Sequence, residues 1–266
     1  MRKGGVVLSS WKQELRMGTL ALLALLMSAL PWVWLIAGWV RPRPEDVSAM
    51  GGTEAPCVAL TFDDGPRAET TSVLLDGLAR RGAHATFFVI GSRLEGNELL
   101  LQRMVGEGHQ VGIHSQNHKV LTELGAADFY AEVDQLRITL TALLGQESFM
   151  LRPPYGLTSA SVCRRAGAPI ILWAVDPEDW SDRDTERQVA LILDRVKDGD
   201  IILLHDIYAS SVETALRVVD ELMARGYHFV TVEELFAIRG VEPEEGSIYR
   251  SLPPPQGLSP ASGPPP

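Results

Sequence analysis

Two cysteines in 266 residues are too few to staple a small disulfide scaffold. Basic residues are also scarce: 24 Lys and Arg face 34 Asp and Glu, for a net charge of −10. That balance argues against a nucleic-acid partner, whose phosphates ask for a basic face. Charged residues make up 22% of the chain and hydrophobic ones 45%, which excludes a charged, disordered polymer. No internal repeat is visible. The length suits one large domain or two small ones, and an α/β barrel would use it as one.

Charge is unevenly spread. Four basic residues (Arg2, Lys3, Lys12, Arg16) and one acid (Glu14) precede Gly18, so the remainder is more acidic than the whole. Residues 1–17 read as a short cytoplasmic segment. Gly18 to Val40 runs 23 residues without a charge, and about 20 apolar residues span a bilayer. A cleaved secretory signal is the competing reading, but cutting after Ala29 or Ala37 leaves Met27 or Leu35 where a small residue is needed. Residues 18–40 are therefore expected to form a transmembrane signal-anchor helix. Trp32, Trp34 and Trp39 gather toward its far end, where indoles favour the interface. Basic residues ahead of the span outnumber Arg41 and Arg43 behind it, which predicts a single-pass cell-membrane protein with an extracytoplasmic body. Residues 41–55, broken by Pro42, Pro44, Gly51 and Gly52, read as a linker. Residues 241–266 read as a disordered, Pro-rich tail, with seven prolines in the last fifteen positions.

Between linker and tail, residues 56–240 alternate short apolar runs with helical patterns. The runs are 57–62, 85–90, 109–113, 148–152, 169–175, 200–205 and 227–232. Continuous apolar character, rather than alternation, suits strands of a parallel sheet buried on both faces. Asn97 and Asp184 are placed to cap helices, Ser211 to open one, and Ala126 to Leu144 carries apolar residues at helical spacing up to Gly145. Seven βα units imply a parallel barrel or a doubly wound sheet, and the count favours the barrel. Cys57 and Cys163 fall on elements too far apart in barrel order to pair, so free thiols are expected.

Five polar clusters sit at the ends of these runs: Asp63-Asp64-Gly65-Pro66, His114 to His118, Arg152-Pro153-Pro154-Tyr155-Gly156, Asp176 to Trp180, and His205-Asp206. The C-terminal strand ends of a barrel are where several strands aim side chains at one point. Taken singly, each has a plain reading as a turn, a rigid loop or a buried histidine. Taken together, they are chemically complementary. Neighbouring carboxylates can divide two tasks, one holding a metal and the other moving a proton. His-x3-His puts two imidazoles on one face of a helical turn, and Asp64 supplies a third ligand. Two histidines and one carboxylate with an open position serve catalytic zinc and equally non-haem iron. Arg152 can orient a carboxylate through bidentate hydrogen bonds. His84, His109 and His228 stand at strand starts, on the opposite face, and read as structural.

In order, Thr61-Phe-Asp-Asp-Gly-Pro66, His114-Ser-x-x-His118, Arg152-Pro-Pro-Tyr-Gly156, Asp176-x-x-Asp-Trp180 and Ile201-Ile-Leu-Leu-His-Asp206 resemble the five motifs of the polysaccharide deacetylases, carbohydrate esterase family 4 with its NodB-homology domain. Ala85 to Gly91 is similar to that family's strand. The resemblance covers about Pro56 to Gly240. It implies a distorted (β/α)7-type barrel with one divalent metal, zinc first and Co2+, Ni2+ or Mn2+ admitted, held by Asp64, His114 and His118. It further implies Asp63 as general base, Arg152 as the residue that holds Asp63 ionised, and His205 as general acid supported by Asp179. The backbone N–H of Tyr155 would steady the oxyanion. Trp180 and Leu203, with Pro153 of the third motif, would line the substrate pocket. The expected activity is N-deacetylation of N-acetylglucosamine in a cell-envelope glycan, peptidoglycan first, by a monomer. A chitooligosaccharide deacetylase, an O-acetyl-xylan esterase, a small-amide hydrolase and a glycan-binding pseudoenzyme are the alternatives.

Overall fold

A computed structural model of the chain describes residues 55–254. The expected membrane span (18–40), the cytoplasmic segment and nearly all of the linker lie outside the described residues. Among those described, no helix is long and apolar enough to cross a membrane.

In chain order the elements are β1 (Cys57–Asp63), α1 (Ala68–Ala79), β2 (Thr86–Val89), α2 (Glu98–Gly106), β3 (Gln110–Ile113), α3 (Ala126–Phe129), a π-helical turn (Tyr130–Asp134), α4 (Gln135–Leu144), α5 (Ala160–Arg165), β4 (Ile170–Ile171), α6 (Thr185–Arg195), β5 (Ile201–His205), α7 (Ala209–Ala224), β6 (His228–Val230), α8 (Val232–Arg239) and β7 (Ile248–Tyr249). β1, buried at all seven positions, is flanked by β2 and β5, and β6 pairs with its first three residues. β3 lies beyond β2. Every one of these pairings is parallel, which the intervening helices make possible.

Two expected strands shrink. Of 148–152, only Leu151 pairs, with Ile113 on one side and Ile170 on the other. Of 169–175, β4 and a bridge from Val175 to Ile202 remain. Pro153, Pro154 and Pro169 have no N–H to give a ladder. The Arg152 guanidinium also takes the Ile171 and Leu172 carbonyls that a neighbouring strand would use. Through the bridges, pairing still runs from β1 by way of β2, β3, Leu151, β4, Val175 and β5 back to β1.

The folded domain does not end at Gly240. β7 pairs with β4, Ser251 bridges Asp200, and Leu252 is buried, so this part of the expected tail is built into the sheet. Short β4 leaves an unpaired edge, and β7 covers it. The approach is close: a Cβ on Gly199, at φ +86°, would meet the Leu252 carbonyl oxygen at 2.1 Å. Residues from 255 on lie outside the described ones.

Side chains alternate across each strand. Val58, Leu60 and Phe62 of β1 join the cluster under the helices, while Cys57 and Ala59 join Phe88, Met150, Ile171, Ile201 and Val230 in an inner one. Continuing the inner parity toward the strand ends reaches Thr61 and Asp63, His114, Arg152, Leu203 and His205. The inner rows become polar at their C-terminal ends.

Asp184 caps α6 by accepting the Arg187 N–H. Asn97 stands at the start of α2, but its amide donates to the Arg93 carbonyl instead. Ser211 does not open α7; it lies inside it, fully buried. Cys57 and Cys163 are free thiols.

Candidate active site and metal centre

Asp64 follows β1, His114 follows β3, and His118 lies within the loop after it. The Nε2 atoms of His114 and His118 lie 3.6 and 3.3 Å from Asp64 Oδ1. Two ligands about 2.1 Å from one tetrahedral ion stand about 3.4 Å apart, so the three donors fit a single ion. Asp64 Oδ1 is buried without a hydrogen-bond partner, an arrangement that costs free energy unless something else satisfies it. The His114 Nδ1–H donates to the Arg152 carbonyl at 2.7 Å, which leaves Nε2 as the free ligand atom. Burial, with the neighbouring His114 ring, holds His118 below the ordinary histidine range, a shift that favours the neutral form a metal ligand needs.

The two histidines do not share a helical turn, contrary to the expectation from their spacing. The segment is a loop in which Ser115 and His118 both take positive φ, 64° and 57°. Asp64 (72°), Tyr155 (61°) and Glu178 (59°) are the other non-glycine residues with positive φ among the described ones. All five fall in the polar clusters, where surrounding structure must hold conformations a Cβ disfavours.

Asp63 ends β1 directly opposite His205, the last residue of β5. Its Oδ1 accepts from Arg152 Nη1 at 2.8 Å. The contact is single, not bidentate. Three further donors of the fully buried guanidinium go to Thr61 Oγ1 and the Ile171 and Leu172 carbonyls, and the group lies over the Phe88 ring. Burial pushes the Asp63 carboxyl up, but Arg152, His114 and His205 together hold it below the usual carboxylate range.

His205 is held by one carboxylate. Asp179 Oδ1 lies 2.8 Å from its Nδ1, and Oδ2 accepts its backbone N–H at 2.8 Å. The Ser211 hydroxyl also donates to Oδ2. Burial lowers the His205 pKa, yet the Asp179 bond and charge, with Asp63 and Asp64, raise it to about 9. Ser211 is the member of this group that sequence reasoning missed; its only signal is a hydroxyl among the inward positions of α7. The neighbouring Asp206 carboxyl, pushed up to about 7 by burial, accepts from Thr71 and packs on Gly65, where a Cβ would meet its oxygen at 2.3 Å.

Tyr155 is 61% exposed and sets its ring edge-on to His118, with centroids 4.6 Å apart. Trp180 is 55% exposed beside buried Asp179, whereas Leu203 is buried on β5 and Pro153 is buried beside Arg152. The structure thus joins Asp63, Asp64, His114, His118, Arg152, Asp179 and His205 in one network, with the Trp180 ring at solvent and Leu203 in the interior.

The polysaccharide deacetylase family model matches residues 50–168. The chain is 38% identical over 182 residues to the peptidoglycan-N-acetylmuramic acid deacetylase PdaC of Bacillus subtilis, covering 68% of this chain and 39% of that protein. It is 36% identical over 187 residues to the peptidoglycan-N-acetylglucosamine deacetylase of Bacillus cereus, covering 67% of this chain and 87% of that one. Among solved structures, a T48 deacetylase with substrate superposes with a TM-score of 0.70 at 42% identity, over 73% of this chain and 96% of that one. On these matches, the chain belongs to the polysaccharide deacetylases of carbohydrate esterase family 4.

Proposed function

We propose that this protein is a metal-dependent hydrolase that removes N-acetyl groups from N-acetylglucosamine residues of a cell-envelope glycan, peptidoglycan first, and releases acetate. The observation that carries the reading is the division of labour between adjacent carboxylates. Asp64 turns its unpartnered oxygen to His114 and His118, while Asp63 is paired with Arg152 and faces His205. The fold this reading takes is a distorted (β/α)7-type barrel, in which Asp63 and His205 end neighbouring parallel strands.

Asp64, His114 and His118 would hold the ion, zinc first. When bound, a divalent ion polarises a carbonyl and acidifies water. Asp63, kept ionised by Arg152, takes a proton from the water that attacks the acetamide carbon. His205, kept protonated by Asp179, gives a proton to the leaving nitrogen as its bond to carbon breaks. The products are the free amine and acetate. The Tyr155 N–H steadies the negative oxygen formed between these steps. Trp180 and Leu203, with Pro153, shape the pocket for the acetyl group. The uncharged stretch Gly18 to Val40 supports a single-pass anchor that holds the domain outside the membrane, beside the wall.

The test is acetate release by the zinc-loaded protein from N-acetylglucosamine oligomers and from purified peptidoglycan, with both amino sugars of the product analysed. Asp63→Asn should release none while retaining zinc. A wild type that binds zinc and frees no acetate from either glycan refutes the proposed substrate, and turnover by Asp63→Asn refutes the proposed base.

A further inference from the structure

The structure assigns to Glu132 the task of positioning His118; this inference rests on the reading of Asp64, His114 and His118 as metal ligands. Glu132 lies outside all five polar clusters, in the π-helical turn that interrupts an otherwise helical stretch between α3 and α4. Its side chain is 1% exposed. One carboxylate oxygen accepts the Asn117 backbone N–H at 2.7 Å, and the other accepts from Asn117 Nδ2 at 3.0 Å and Lys119 Nζ at 3.1 Å. The Glu132 carbonyl accepts the Gln116 N–H at 2.7 Å. One residue therefore grips the loop at 116, 117 and 119, on both sides of His118.

The opposite face of the loop is held by the Gly91 and Ser92 N–H groups, which donate to the Ser115 and Gln116 carbonyls. Between these two anchors Ser115 and His118 keep positive φ, which persists only where the surroundings over-determine it. Core packing does not account for an acid here, because Phe129, Val133, Leu136 and Leu140 fill the apolar face. A buried carboxylate is costly unless both oxygens are satisfied, and the loop satisfies them. Within the π-helical turn the carbonyl and the side chain of one residue both reach the same loop, and such turns are frequent at functional sites. Glu132 bonds neither the reacting groups nor His118 itself, so it acts through the loop backbone.

The experiment measures zinc affinity and the visible spectrum of the cobalt-loaded full chain, together with the unfolding midpoint of the metal-free chain, for wild type, Glu132→Gln, Glu132→Ala and His118→Ala. Glu132→Ala should weaken zinc about 10- to 100-fold, the range for residues that orient ligands, and should alter the cobalt spectrum. Glu132→Gln, which keeps the shape and one acceptor, should lose less. A Glu132→Ala chain whose metal-free midpoint falls while its zinc affinity and cobalt spectrum match wild type overturns the assignment. If Glu132→Ala does not fold, Glu132→Gln decides, and a zinc affinity equal to wild type overturns it. A wild type that binds neither ion, or binds as well with His118→Ala, overturns the ligand reading and this inference with it.

Discussion

Replacing Asp179 by Asn should change the pH dependence of turnover more than its maximum. His205 is raised from 6.5 to about 9, a gap worth about 3 kcal/mol in favour of the charged ring. Asp179 is the main source, through the 2.8 Å bond to Nδ1. Without that charge the ring should titrate nearer its ordinary value. At pH 8 a ring titrating near 9 is roughly nine-tenths protonated, and one near 6.5 about one-thirtieth; at pH 6 both are mostly protonated. The wild-type to Asp179→Asn ratio of kcat should therefore climb between pH 6 and pH 8, by up to about 20-fold. A divalent ion on Asp64 offsets part of that anion's pull, so the loaded enzyme sits at or below about 9 and the climb is correspondingly smaller. Misorientation of the ring adds a loss that does not depend on pH and cancels from the comparison. The assay is acetate release under saturating substrate at half-unit pH steps. A ratio constant within about two-fold across that window would refute the claim that the carboxylate keeps the acid charged. The same linkage has a stability consequence. The folded pKa is raised, so the pair's contribution is complete below pH 6.5 and is lost as pH rises through about 9.

Arg152→Met should destabilise the domain by about 3–5 kcal/mol in urea unfolding, because it leaves Asp63 buried without its partner. Arg152→Lys, able to restore only one of the donor directions, should fold better but move the acid limb of kcat/KM upward. His109 is pushed down to about 4, burial being the largest cause. The unfolded chain takes up that proton first, so about 2–3 kcal/mol of stability should disappear as pH falls from 6.5 toward 4, and His109→Gln should lack that part of the slope. Leu252→Ala should cost about 2–4 kcal/mol by the same unfolding assay, whereas a change within ±0.5 kcal/mol would mean that the segment after Gly240 is not part of the core.

Much of the site follows from short-range rules that the sequence carries openly. Apolar runs of parallel strands are recognisable without a partner, and the residues just past their ends are the ones a parallel α/β sheet turns toward a common face. Strand parity does the rest: Asp63, Arg152 and His205 each continue an inner row, which brings them together. Residue type cannot divide Asp63 from Asp64 or His114 from His205; the resemblance of the motifs implies that division, and the different partners of each side chain support it. What the sequence could not settle depends on where one segment meets another. His-x3-His looks like a helical turn, yet Ser115 and His118 are held in left-handed conformations by contacts from Gly91, Ser92 and Glu132, residues 14 or more positions away. Ser211 reads as the start of a helix until α7 packs it onto Asp179. The Arg152 fork reads as a bidentate clamp until the carbonyls of Ile171 and Leu172 claim two of its nitrogens and shorten the strands beside it. That shortening opens the edge that β7 fills, so a segment reading as tail becomes sheet. Local pattern determined which chemistry this chain carries, because spacing and residue type are local properties. Tertiary structure decided how each group is held, because hydrogen bonds to a buried charge or a strained loop come from whichever backbone lies nearby in space, and no local pattern encodes that.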